Sequence, residues 1–299
     1  MKILITGATG FVGKNLVPKL LKDNHNLFEV TVQPDISEGL YGNLFEHYYF
    51  SYEKQADFIK KIEKFNPEIV IHLASYLTAS DETKEMKKLL DANIIFLNHV
   101  LDTLKNTNLK WFINTGSFAE YFKGDGKLDP AYLYTATKSA SRIFVDYYSK
   151  TYNFNYLTIA PYTIYGGKDT QKKIIDIIYD SLDNHSPLDL TPGNQMLDFI
   201  HLDDVTDFYI TVIQNLEKIT SAANFQLGTG IGHTLQDLVA IMERQTGKIA
   251  NIHWGGKQYR PRDVMYAVAN ISLQYHLFKW QPKILLEEGI KAYIKEKEV

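Results

Sequence analysis

The sequence predicts an α/β protein: a doubly wound parallel sheet with a smaller C-terminal α/β lobe. Three observations carry this. Short apolar runs recur along the first half, helix-periodic segments separate them, and a glycine-rich turn follows the first run directly.

Ile3-Leu4-Ile5 ends in Thr6-Gly7, the pattern of a strand buried on both faces. Leu16, Val17, Leu20 and Leu21 then recur at helical spacing, and Asn24-His25-Asn26 closes that helix. Phe28 to Val32 forms a second strand. A helix over 55–65 shows Phe58, Ile59 and Ile62 on one face and stops at Asn66-Pro67 before the strand Ile69-Val70-Ile71. Helices over about 84–104 and 134–148 lead to the strands Trp111-Phe112-Ile113 and Tyr156-Leu157-Thr158-Ile159. Beyond Gly166-Gly167 the pattern loosens into helices near 174–182, 205–216, 235–242 and 284–294. Residues 1–165 are expected to form a dinucleotide-binding domain rejoined by 198–228, with 166–197 and 229–299 forming the second lobe.

The 299 residues suffice for one large domain or two smaller ones. With 32 Lys+Arg against 35 Asp+Glu and no long basic run, nothing in the charge balance draws the chain to nucleic acid. There is no cysteine, which excludes disulfides, thiolate zinc sites and thiol catalysis. The nine histidines fall in no ligand spacing, so no metal site is expected. The opening apolar run is too short for a signal peptide, no stretch is long enough for a membrane span, and a cytoplasmic protein is expected. The charged runs 82–85 and 295–298 are expected to be solvated helical faces.

Gly7-Ala8-Thr9-Gly10-Phe11-Val12-Gly13 lies between a predicted strand and a predicted helix. Glycine there permits a sharp turn and close backbone approach, while the helix start presents N–H groups to a pyrophosphate. The spacing G-x-x-G-x-x-G resembles the opening of the extended short-chain dehydrogenase/reductase family, the NAD-dependent epimerase/dehydratase type that includes many nucleotide-sugar enzymes. The likeness runs along nearly the whole chain and implies a Rossmann-type sheet. Ile71-His72-Leu73-Ala74-Ser75 resembles the strand beside the cofactor, and Asn93 stands at a structural Asn of the family's fourth helix. The cofactor residues so implied are Gly7, Thr9, Gly10, Phe11, Val12, Gly13, Asp35, Leu73, Ala74, Ser75, Tyr134, Lys138 and Pro161. NAD and NADP both remain open. Asp35 near the second strand and the lack of a neighbouring Lys or Arg favour NAD slightly, although neutral Gln33 need not repel a 2′-phosphate.

Tyr134 and Lys138 stand one helical turn apart, and Ser117 follows a predicted strand at its C-terminal end. Together they match the family's catalytic set. Moving a hydride to or from a carbinol carbon requires a proton at its oxygen. Tyrosine's reference pKa of about 10 calls for a nearby cation to favour phenolate. The resemblance implies that Tyr134 transfers the proton, Ser117 holds the substrate oxygen, and Lys138 anchors the nicotinamide ribose.

Family members that dehydrate sugars carry Asp-Glu directly after the catalytic Ser/Thr. Here Phe118 and Ala119 stand there, and neither transfers protons. Decarboxylating members use a Glu where Ala119 stands, and double epimerases use a Cys this chain lacks. A 4-keto reductase of a (6-deoxy) sugar is the first expectation and a 4-epimerase the alternative, since the triad serves both. A silent sensor of cofactor or sugar nucleotide is disfavoured because all three groups are present. The substrate, a nucleotide-diphosphate sugar, is expected to meet Ser117, Phe118, Ala119, Thr163 and Arg260. Arg260-Pro261-Arg262-Asp263 resembles the family's R-P-G-D, whose Arg clamps the diphosphate, with Arg262 in the glycine's place. His201 is expected to cap or to pack between the lobes, not to act as an acid. The resemblance also implies a homodimer built from the helices around Asn93 and Tyr134.

Overall fold

The computed structural model describes residues 1–80, 82–167 and 172–297. Glu298, at the end of the last charged run, lies outside them. In the first half, strands β1 (Lys2–Thr6), β2 (Asn26–Thr31), β3 (Glu46–Tyr49), β4 (Ile69–His72), β5 (Trp111–Thr115) and β6 (Asn155–Pro161) alternate with helices. These are α1 (Phe11–Lys22), α2 (Pro34–Tyr41), α3 (Gln55–Phe65), α4 (Thr83–Leu90), α5 (Phe96–Thr103) and α6 (Leu133–Tyr152). The second half contains β7 (Thr163–Tyr165), α7 (Ile174–Ser181), β8 (Leu188–Leu190), β9 (Met196–His201), α8 (Leu202–Gln214), β10 (Ala223–Leu227), β11 (Gly232–His233), α9 (Leu235–Thr246), β12 (Ile252–Trp254), β13 (Tyr266–Ala267), α10 (Ser272–Phe278) and α11 (Leu286–Lys297).

Seven strands form one sheet in the order β10-β6-β5-β4-β1-β2-β3. The chain winds outward from β1 to one edge, then returns to β4 and winds the other way. This is the doubly wound Rossmann arrangement, and ligands bind it at the carboxyl ends where the order reverses. Ile3, Leu4 and Ile5 are wholly buried, as are Val70, Ile71, Phe112 and Ile113. Helices on both faces explain why these strands are continuous apolar runs instead of alternating ones. In parallel register Ile5 lies beside Glu29 of β2 and Ile71 of β4.

The chain divides into two compact units. The first comprises 1–117, 132–160 and 209–225, with a core that includes Leu4, Phe28, Phe58, Val70 and Phe112. The second comprises 118–131, 161–208 and 226–299, with a core around Phe199, Leu238, Met242 and Ile290. Within the second unit, Asp198 of β9 is fully buried and accepts four hydrogen bonds. The donors are Thr229 N (2.8 Å), Thr229 Oγ1 (2.7 Å), Gly230 N (2.8 Å) and Ala269 N (3.1 Å). His201 accepts the Asp203 N–H at 3.2 Å at the start of α8, and Tyr165 packs edge-on against its ring. That is the capping alternative expected for it.

Two features of the predicted helices depart from the sequence reading. The helix expected over 84–104 is α4 and α5 joined by one wider turn, Asp91–Ile95, with π-type hydrogen bonding. Within the run 82–85, Glu85 is buried instead of solvated, because Tyr76 Oη donates to it at 2.5 Å and Lys88 pairs with it.

Candidate active site

Gly7 has φ +72°, and a Cβ there would lie 2.6 Å from the Ala74 backbone nitrogen. A Cβ at Gly13 would lie 2.2 Å from the Gly7 carbonyl oxygen. Glycine at these two positions lets the turn fold onto the segment after β4 and onto the first turn of α1. Leu73 N donates to the Thr6 carbonyl at 3.1 Å and Ala74 N to Thr6 Oγ1 at 3.2 Å. Gly7 and the 73–75 segment, separated in sequence, are therefore adjacent at the carboxyl ends of β1 and β4. Gly10 precedes α1, whose first turn carries no acidic side chain to oppose an anion. This cradle fits a dinucleotide pyrophosphate. Phe11 and Val12 are half-buried in that first turn, and Asp35 is exposed in the first turn of α2.

The carboxyl end of β4 is held by Asn93, which the wider helical turn carries and which is buried. Its Oδ1 accepts from Tyr76 N (2.8 Å) and Ser75 Oγ (3.1 Å). Its Nδ2 donates to the Tyr76 carbonyl (3.1 Å) and to Thr137 Oγ1 (2.9 Å). Thr137 Oγ1 in turn donates to the carbonyl of Tyr134 at 2.6 Å. One carboxamide thus ties the cofactor-side segment to the helix bearing Tyr134 and Lys138. The wider turn and the Asn93–Thr137 bond were not visible in the sequence, where Asn93 entered only through family likeness.

Ser117, Tyr134 and Lys138 all belong to the first unit and are all buried. Gly116 N donates to the Ile159 carbonyl at 2.7 Å, fixing the chain as it leaves β5 toward Ser117. Tyr132 and Tyr134 stack with ring centroids 6.0 Å apart. Lys138 also acts on a residue absent from the expected site. His72, at the end of β4, is buried, and its Nδ1 lies 2.9 Å from Thr6 Oγ1. Burial first, and the Lys138 charge second, depress its pKa to about 3. His72 therefore stays neutral beside the ammonium at physiological pH.

That depression makes stability depend on pH. The unfolded chain takes up a proton near the ordinary imidazole pKa, whereas the folded protein resists it until much lower pH. Stability from this group is complete above about pH 6.5 and falls as pH drops, by about 2 kcal/mol at about pH 5. Urea unfolding midpoints measured between those pH values should show this slope, and His72→Asn should flatten it.

In the second unit, Phe118 stacks on Tyr162 with centroids 5.6 Å apart, and Ala119 and Glu120 are fully buried. Thr163 opens β7 and is half-buried, and Pro161 ends β6. The two arginines differ sharply. Arg262 pairs with Asp129, and its guanidinium carbon lies 4.2 Å from the Phe122 ring centroid. Arg260 is exposed, and its backbone N–H donates to Asp263 at 2.8 Å. Arg262 thus latches the segment 122–129 to the stretch carrying Arg260, whose own side chain is exposed. Among the described residues, no group of three or more His, Cys, Asp or Glu could hold a metal ion, and no helix is long and apolar enough to cross a membrane.

Residues 3–228 match the model of the NAD dependent epimerase/dehydratase family. The chain belongs to this NAD-dependent family, and a nicotinamide dinucleotide is its cofactor. It is 28% identical over 299 residues to the CDP-abequose synthase of Yersinia pseudotuberculosis, covering 99% of this chain and 100% of that protein. It is 22% identical to the UDP-glucose 4-epimerase of Mycolicibacterium smegmatis, covering 97% and 96%. Among solved structures, the UDP-glucuronic acid 4-epimerase of Bacillus cereus, in complex with UDP-glucuronic acid and NAD, superposes with a TM-score of 0.87 at 21% identity, covering 99% of this chain and 100% of that one.

Proposed function

We propose that the chain is an NAD(P)-dependent oxidoreductase of nucleotide-activated sugars that reduces a 4-keto-6-deoxy sugar at C4. The observation that carries this is the pair following Ser117. Phe118 is packed on Tyr162 and Ala119 is buried, so neither position offers a carboxylate to expel or abstract at a neighbouring carbon. What remains is chemistry at a single carbinol. The full-length likeness to a CDP-abequose synthase supports the same reading.

Held at the turn of Gly7, Gly10 and Gly13 with Lys138 at its nicotinamide ribose, a reduced dinucleotide would be the source of the hydride for the C4 carbonyl carbon. As the carbonyl electron pair moves to oxygen, Ser117 Oγ donates a hydrogen bond there and the Tyr134 hydroxyl gives up its proton to it. The Lys138 ammonium, one turn along α6, stabilises the resulting phenolate until solvent returns the proton. Asn93 positions that helix against the cofactor-side segment through Thr137.

The test is cofactor consumption with a panel of 4-keto sugar nucleotides. Substrate-dependent oxidation of NADH or NADPH, with one equivalent of reduced sugar formed, supports the reductase. The alternative is a 4-epimerase with retained NAD, favoured by the likeness to a UDP-glucose 4-epimerase along almost the whole chain. It predicts interconversion of two sugar isomers with no net consumption. A non-catalytic sensor predicts neither.

Arg260 serves as the anchor for the substrate diphosphate, since a guanidinium pairs with such oxygens through parallel hydrogen bonds. Arg260→Ala should raise KM for the sugar nucleotide about tenfold or more while kcat stays within about threefold. Steady-state kinetics at saturating cofactor check this.

The protein is proposed to be a homodimer. α4, the wider turn that follows it and α6 expose Met86 (44%), Leu90 (42%), Ile95 (43%), Ile143 (71%) and Tyr147 (60%), large apolar groups on the segments through which such a dimer would form. Light scattering should give twice the chain mass, and Ile143→Glu with Tyr147→Glu should give the monomer.

A further inference from the structure

The adenosine end of the cofactor cradle departs from the arrangement that selects NAD. A Rossmann unit selects NAD with a carboxylate, about 20 residues past the glycines, that accepts from the ribose 2′-hydroxyl. Such a carboxylate repels the 2′-phosphate of NADP. In this chain the acidic residue of β2 is Glu29, and it is wholly buried. Its Oε2 lies 2.7 Å from His47 Nδ1, and its Oε1 accepts from Ser37 Oγ at 3.1 Å. His47 Nε2 lies 3.0 Å from the Gly42 carbonyl, so this cluster is closed within β2, α2 with the Gly42 that follows it, and β3.

At the carboxyl end of the same strand the groups are neutral. Thr31 ends β2, and its Oγ1 accepts from Gln33 N at 3.0 Å. Gln33 is exposed, and its side-chain Oε1 accepts from Thr9 Oγ1 at 3.2 Å. Thr9 belongs to the glycine-rich turn, and Tyr41 Oη donates to the neighbouring Ala8 carbonyl at 2.8 Å. The Gln33 carboxamide is therefore fastened to the pyrophosphate turn, 20 positions after Gly13, where a ribose-reading side chain belongs.

We propose that Gln33, held by Thr9, is the residue that reads the adenosine ribose. As a neutral donor it serves a 2′-hydroxyl and a 2′-phosphate alike, so the site takes NADP(H) as well as NAD(H). The proposal rests on the dinucleotide cradle and not on the identity of the sugar. Asp35 is the competing reader. It is exposed in the first turn of α2, outside the hydrogen-bonded set that joins Thr9, Thr31, Gln33 and Ser37.

Titration of the full-length protein with NADH and NADPH, followed by calorimetry and by nicotinamide fluorescence, tests this without any sugar. NADPH is expected to bind within about tenfold of NADH, and Gln33→Asp to weaken NADPH about tenfold or more relative to NADH. Gln33→Arg should shift the ratio toward NADPH, and Asp35→Asn should leave it unchanged. NADPH binding more than about tenfold weaker than NADH in the unaltered protein would overturn the proposal. So would a ratio that responds to Asp35→Asn but not to Gln33→Asp. Absence of binding by either nucleotide would remove the cradle itself, and the proposal with it. A sugar panel without turnover would leave the measured ratio standing.

Discussion

Tyr134→Phe is expected to lower kcat about a thousandfold while leaving cofactor affinity within about threefold. The substitution removes one oxygen from a buried ring and keeps the ring itself, so α6 and its stack on Tyr132 persist. What disappears is the only proposed proton donor to the C4 oxygen. Cofactor titration separates the chemical loss from a folding defect, because the carbonyl of residue 134 still accepts from Thr137. Turnover of the identified substrate by Tyr134→Phe at the unaltered rate would sink the mechanism. Lys138→Met should reduce kcat as well, and should also weaken cofactor binding if Lys138 anchors the nicotinamide ribose.

The largest expected effect on stability lies in the second unit. Asp198→Ala should destabilise the protein by about 3–5 kcal/mol, because it takes the acceptor from four donors at once, three of them on the buried residues Thr229 and Ala269. Burial raises the pKa of this carboxyl, while the bonds from Thr229, Ala269 and Gly230 oppose that rise. The carboxylate joins β9 to the turn after β10 and to the stretch following β13, and a Cβ at Gly228 would lie 2.5 Å from its Oδ2. Asp198→Asn should be nearly as damaging, since an amide NH₂ faces donors where oxygen is needed. Urea unfolding at neutral pH checks both variants. A loss below about 1 kcal/mol for either would contradict this account.

Much of the helix and strand pattern was legible because its signals are local. α3 spans 55–65 as its periodicity and the Asn66-Pro67 stop require, and β1, β4 and β5 follow their apolar runs. Less was legible where a tertiary partner decides. The wider turn at 91–95 leaves no mark in the pattern of apolar residues. Glu85 looks like a solvated charge until Tyr76 and Lys88 are brought to it, and α2 begins among residues that resemble a turn. His72 was seen only as part of a strand, although the strand order buries it within reach of the Lys138 charge.

The sequence by itself determined the alternation of strand and helix, the glycine turn, the identity of the candidate triad and the missing acids after Ser117. The first two depend on residue type and spacing along the chain, and the last two on its likeness to the family's motifs. Only the tertiary structure decided that Arg262 is spent on Asp129 and Phe122 while Arg260 is exposed, that Glu29 is closed off by His47 and Ser37, and that Asn93 joins the segment after β4 to α6. A charge or an amide acts through whatever lies within a few ångströms of it, and residues dozens of positions apart become such neighbours only when the chain has folded.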